Sequence, residues 1–93
     1  MNKPFVVANW KCNPVTLSEA KKLFESVVKG TKNIKGVEVI ICPPFVYVPT
    51  FRHYNNLTIK LGAQDCFWEE KGAYTGEISP LMLKNLGCQY VIL

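Results

Sequence analysis

Four short apolar runs, Phe5 to Asn9, Val37 to Cys42, Thr58 to Ala63 and Gln89 to Leu93, recur along the chain with helical or turn-rich stretches between them. Each is rich in Val, Ile or Leu and bounded by Gly, Asn or Pro, the make-up of a buried strand. Their apolar character is nearly continuous rather than alternating, as in strands covered on both faces. Strands that alternate with helices specify a parallel sheet, because joining two parallel strands requires a long crossover and a helix fills it.

The connecting stretches carry their own signals. Between the first two runs, Leu17, Ala20, Leu23, Phe24, Val27 and Val28 recur at three- and four-residue spacing, with Lys21, Lys22, Glu25 and Lys29 opposite. Thr16 and Glu19 have the form of a capping box, Glu25 and Lys29 a favourable i, i+4 pair, and Gly30 a natural stop. A second helix is predicted from Val46 to Tyr54, with Pro49 in its first turn. A third has Ser79 as N-cap, Pro80 at its first position, then Leu81 to Leu86, and Gly87 as terminator. The reading is three strand-helix units and a fourth strand.

Composition then bounds the classes. At 93 residues, 48% hydrophobic and 19% charged, the chain describes one globular unit. A net charge of +4 favours anionic partners mildly and falls well short of a nucleic-acid stripe; no aromatics interleave the lysine face of the first helix. No apolar run approaches the roughly 18 residues of a membrane span. The apolar run after Met1 is too short for a signal peptide, so the expected compartment is the cytoplasm. Cys12, Cys42, Cys66 and Cys88 lie more than twenty residues apart, which reads as four reduced thiols rather than a zinc site or a disulfide framework.

A sheet of these four strands has two open edges, Phe5 to Ala8 and Tyr90 to Leu93, with no charge or proline to discourage pairing. The mean hydropathy of +0.07 is high for so small a free-standing domain. Both features predict further units covering these edges, and self-association of the chain without them.

Ligands of parallel α/β folds gather at the carboxyl ends of the strands. The first such place is Asn9-Trp10-Lys11-Cys12-Asn13. There Lys11 either binds a phosphate or carboxylate and stabilises an oxyanion, with Asn9 holding it, or reaches to solvent while Asn9 caps the strand. After the second strand, Cys42-Pro43-Pro44-Phe45 offers only stiffness. The stretch Gln64 to Ile78 has no helical periodicity and carries Phe67, Trp68 and Tyr74 with Gly72 and Gly76; it inserts into a partner surface or folds back on its own domain. His53, the only histidine, has no carboxylate or thiol at ligand spacing and reads as a surface residue. No closely spaced glycines cradle a phosphate.

In order and spacing, Val7-Ala8-Asn9-Trp10-Lys11-Cys12-Asn13, Pro43-Pro44-Phe45-Val46-Tyr47-Val48-Pro49, Leu61-Gly62-Ala63-Gln64-Asp65 and Gly72-Ala73-Tyr74-Thr75-Gly76-Glu77-Ile78-Ser79 resemble triosephosphate isomerases. The resemblance spans all 93 residues and implies the N-terminal portion of a (β/α)8 TIM barrel: three strand-helix units plus the fourth strand. It further implies interconversion of dihydroxyacetone phosphate and glyceraldehyde 3-phosphate in glycolysis and gluconeogenesis, through an enediolate and with no metal or organic cofactor. Asn9 and Lys11 match substrate-binding positions. Thr75, Tyr74, Gly76 and Glu77 match the loop that inserts into the other subunit of a homodimer, with Cys12 in the pocket that receives it and Gln64 near the base of the interface. The family's catalytic histidine and glutamate have no counterpart in residues 1–93, and His53 does not match either. Pro14 stands where a glycine is common. The isolated chain is therefore expected to be inactive; the alternative is a non-enzymatic fragment that docks on a full-length partner through its long loop.

Overall fold

The computed structural model describes residues 3–54 and 58–93. Four parallel strands, β1 (Phe5–Asn9), β2 (Glu38–Cys42), β3 (Ile59–Gln64) and β4 (Tyr90–Ile92), lie in sequential order β1-β2-β3-β4. Each crossover contains helix: α1 (Leu17–Gly30), α2 (Val48–Phe51) and α3 (Pro80–Asn85). Among the described residues no helix is long and apolar enough to cross a membrane.

Register divides the sheet into two faces. Phe5 pairs with Glu38, Val7 with Ile40, Asn9 with Cys42, Gly62 with Tyr90 and Gln64 with Ile92, so these residues share one face. Val39, Ile41, Ile59 and Leu61 point to the other, where they pack with Ala20 and Phe24 of α1 and with Tyr47, Val48 and Phe51. At the centre of this core the rings of Phe24 and Phe51 stack, centroids 4.2 Å apart and planes 8° apart. Trp10 and Tyr54 meet the pair edge-on, Trp10 on Phe51 at 6.0 Å and Tyr54 on Phe24 at 5.0 Å. On the opposite face Ile40 and Cys42 are equally buried, in keeping with the continuous apolar run of β2. Gly62 leaves the room they need: a Cβ there would stand 2.6 Å from Cys42 Sγ and 3.1 Å from Ile40 Cγ2.

The helix ends follow the local chemistry. The Thr16 hydroxyl accepts from the Glu19 N–H at 3.1 Å, and the Ser79 hydroxyl from the Met82 N–H at 3.2 Å. Each cap contributes about 1 kcal/mol by satisfying an orphan donor. At the far end of α3, Gly87 takes φ +91°, which lets the Gly87 N–H reach Lys84 C=O and the Cys88 N–H reach Leu83 C=O, closing a Schellman turn.

Three expectations need adjustment. Gly30 is the last residue of α1 rather than its stop, and Thr31 caps the helix by donating its hydroxyl to Val27 C=O at 2.8 Å. The buried stripe of α1 is narrower than its apolar pattern, since Ala20 and Phe24 are buried while Leu17 and Leu23 stay exposed. The stretch 46–54 is a relay of short turns: a 3-10 turn at Phe45–Tyr47, the four-residue α2, and a second 3-10 turn at Arg52–Tyr54. Pro49 explains this, because it has no N–H to donate and is tolerated only in a first turn, so the α-helix begins at Val48.

Of the two edge strands, β1 is uncovered, whereas β4 (Tyr90–Ile92) is half-buried. Phe5, Val6 and Val7 are 57%, 55% and 51% exposed, whereas Val39 to Cys42 are buried.

Candidate active site at the carboxyl ends of the strands

Parallel strands place all four carboxyl ends at one rim of the sheet, and the loop after β1 crosses that rim. Its backbone is tied down at several points. The Trp10 N–H donates to Cys42 C=O at 3.1 Å, continuing the β1–β2 ladder one residue past the strand. Lys11 then turns back with φ +57°, uncommon for a residue with a side chain and intrinsically unfavourable by about 1–2 kcal/mol. Two side chains hold it there. The Lys11 N–H donates to Asn9 Oδ1 at 2.9 Å, and its C=O accepts from Gln64 Nε2 at 2.9 Å. Farther along, the Tyr47 hydroxyl donates to Pro14 C=O at 2.8 Å and anchors the loop to the turn after β2.

The resemblance implies a place for Gln64 near a dimer interface; within this chain its carboxamide reaches the first loop. Besides Lys11, Nε2 donates to Cys42 C=O at 2.8 Å, so both amide hydrogens have acceptors. The bridge spans 53 positions of sequence, and no spacing rule would have found it. Gln64 is itself fixed by its place opposite Ile92 and by the next residue, whose N–H donates to Ile92 C=O at 2.6 Å.

Asn9, Lys11 and Gln64 thus meet at the rim, with Cys12 beside them and exposed. Lys11 is exposed at the edge of an apolar sheet, a setting suited to binding an anion. His53 lies at the other end of the crossover, on the exposed turn that leads towards the start of β3, where the Arg52 Nε donates to its Nε2 at 3.3 Å. A hollow of about 710 Å³ on the α3–β4 flank, lined by Cys66, Leu83, Lys84, Cys88 and Tyr90 among others, does not include Asn9 or Lys11.

The loop between β3 and α3, residues 65–79, is closed at its base by the Phe67 N–H donating to Ile78 C=O at 2.8 Å. Within it Phe67 packs on Tyr74 with centroids 4.7 Å apart and on Trp68 edge-on at 6.0 Å. The loop therefore carries a small aromatic cluster of its own, yet Trp68 remains 83% exposed and Thr75 to Glu77 are exposed at the turn. Gly76 holds φ +84° there, and the Glu77 N–H reaches Tyr74 C=O at 3.3 Å. These residues make no hydrogen bond to Asn9 or Lys11 among the described residues of the chain.

Burial pushes Cys42 from the ordinary 9.0 up to about 11, and burial, with the neighbouring Cys42 adding a smaller effect, does the same to Cys88. Burial, then the hydrogen bond from its hydroxyl to Glu38 Oε1 and the charge of that carboxylate, raises Tyr90. For Cys42 and Cys88 the unfolded chain ionises first as pH rises, so the native state loses stability between about pH 9 and about pH 11 and levels off above. Denaturant midpoints at stepped pH are expected to fall across that window, and Cys42→Ala to flatten the fall; a midpoint constant from pH 8 to 11 contradicts the assignment.

A family model described as triosephosphate isomerase matches residues 4–93. The chain belongs to the triosephosphate isomerase family. Its fold is accordingly part of a (β/α)8 barrel, three strand-helix units followed by the fourth strand. A protein named triosephosphate isomerase in Dehalococcoides mccartyi is 54% identical over 94 residues, which cover 100% of this chain and 36% of that protein. Those of Thermoanaerobacter pseudethanolicus and Geotalea uraniireducens are 50% and 44% identical, each matched over 100% of this chain and 37% of its own length. The chain thus spans little more than a third of the relatives it matches.

Proposed function

We propose that residues 1–93 form the substrate-anchoring part of a triosephosphate isomerase, which interconverts dihydroxyacetone phosphate and glyceraldehyde 3-phosphate in glycolysis and gluconeogenesis. The observation that carries this reading is Lys11, held by Asn9 and Gln64 at the carboxyl rim of a family-matched barrel segment. A lysine whose backbone is fixed at that rim suits a dianionic phosphate and the negative charge that develops on an enediolate. Asn9, exposed at the end of β1, shares the substrate site. The reaction draws on no metal or organic cofactor. Proton transfer belongs to a histidine and a glutamate outside these 93 residues, so the segment alone binds at most and does not turn over.

The working state in this reading is a cytoplasmic homodimer. Tyr74, Thr75, Gly76 and Glu77 dock on the other subunit, with Cys12 and Gln64 on the receiving side. Support comes from the exposure of Trp68 and of the loop tip, since a loop with its own aromatic cluster can present a shaped, partly apolar surface.

The test joins residues 1–93 to the remaining segment of the Dehalococcoides relative and assays isomerisation of glyceraldehyde 3-phosphate. The joined protein is expected to turn over as a dimer, and the 93-residue chain to give no rate above background. A folded, dimeric but inactive product argues against the reading; turnover by the short chain itself, abolished by Lys11→Ala, overturns the division of roles.

A further inference from the structure

Both peptide groups that flank the Lys11 Cα are held by side chains. The N–H is taken by Asn9 Oδ1 of β1, and the C=O by Gln64 Nε2 of β3, each at 2.9 Å. Together they fix the two backbone torsions of a residue whose φ of +57° the chain would otherwise leave for the favoured left half of the map. The same Nε2 holds Cys42 C=O, which also accepts from Trp10, so that carbonyl has both lone pairs occupied and ties β1, β2 and β3 into one rim. Gln64 is rigid in turn, because it is paired with Ile92 of β4.

We propose that Gln64 is a positioning residue for Lys11: its carboxamide sets the backbone of the first loop, and with it the point from which the Lys11 ammonium meets an anionic substrate. The proposal rests on the reading of Lys11 as a substrate contact. It assigns Gln64 a role inside its own subunit, whatever it touches across a dimer. The chemistry requires a neutral donor of two hydrogen bonds, since two carbonyl oxygens face it. Glutamate has the same shape and would present acceptors to acceptors.

The test uses the joined full-length barrel with Gln64→Leu, Gln64→Glu, Lys11→Ala and the double variant Lys11→Ala/Gln64→Leu. Gln64→Leu is expected to lower kcat/KM for glyceraldehyde 3-phosphate about ten- to a hundredfold, the scale of a misplacement near 1 Å at a reacting centre. In the Lys11→Ala background the same change is expected to cost less than about twofold, because two residues acting through one interaction are not additive. Equal losses in both backgrounds overturn the proposal, since a general loss of fold quality is indifferent to Lys11. Gln64→Glu is expected to match leucine at neutral pH and to recover relative to the parent as pH falls, when a protonated carboxyl regains one donor. Amide exchange at Lys11 and Cys12 supplies a readout independent of turnover. Release of the loop in Gln64→Leu is expected to speed it at least about tenfold, and unchanged exchange overturns the proposal. An inactive parent barrel with Gln64-dependent exchange would count against the isomerase reading and leave the positioning role standing.

Discussion

Replacing Lys11 by alanine in the joined barrel is expected to lower kcat/KM about a hundred- to a thousandfold, the range in which removal of one preorganised electrostatic contact acts, or roughly 3–4 kcal/mol. The magnitude follows from position. A lysine in free solution gains little from a phosphate because water screens both; in the joined barrel, where further strands close round the rim on which Lys11 is exposed in this chain, the same pair is expected to interact through a lower dielectric. The lysine also arrives preorganised, its loop having been bent when the strands assembled, so the strain at φ +57° is met by folding rather than at each binding event. Lys11→Arg separates charge from geometry. It keeps the cation but presents a planar fork in place of a point charge, and activity is expected to return only partly. Steady-state kinetics on the three proteins decides the matter, and a Lys11→Ala enzyme within about threefold of the parent would remove Lys11 from the site.

Phe51→Ala is expected to destabilise the native chain by about 3–5 kcal/mol, the cost of deleting a large buried ring that its surroundings cannot refill. Phe51 is only 2% exposed and makes the stacked contact with Phe24 and the edge contact with Trp10. It therefore joins α1, the turn after β2 and the first loop in one packing unit. Against the 5–15 kcal/mol that ordinarily separates folded from unfolded domains, such a loss leaves little. Urea titration followed by Trp10 fluorescence reads it, with the exposed Trp68 replaced by phenylalanine to clear the signal. In a cycle with Phe24→Ala, the stacked pair is expected to show a coupling of about 0.5–1.5 kcal/mol. A loss under about 1 kcal/mol would mean that the site collapses freely and that Phe51 does not hold the core together. Because Trp10 immediately precedes Lys11, the variant should also loosen the first loop and link core packing to the rim.

Much of the architecture is legible before any coordinate is known, and particular residues show why. Thr16 and Ser79 announce their helices because a cap acts within three residues of its own position. Gly87 announces the end of α3 because a positive φ is a local requirement. The buried strands β2 and β3 announce themselves by nearly continuous apolar runs, broken in β3 only by Lys60 before its terminal Gln64. Residues 46–54 are less legible: apolar spacing suggested one helix, while Pro49 and the packing of Tyr47, Val48 and Phe51 against the sheet broke it into three turns. Leu17 and Leu23 mislead for a related reason, as periodicity gives the width of an apolar stripe and only the neighbouring elements decide how much of it is covered.

By itself, the sequence determined the strand-helix alternation, the N-caps at Thr16 and Ser79, the uncovered edge at β1 and Lys11 as the charged residue to watch, because each depends on residues close together in the chain. Only the tertiary structure decided how Lys11 is held. That decision lies in Gln64 crossing from β3 to Lys11 and Cys42, and in Tyr47 reaching Pro14. Such contacts exist only after parallel pairing has brought the strand ends to a common rim, and no local preference of the chain encodes which distant amide will meet which carbonyl.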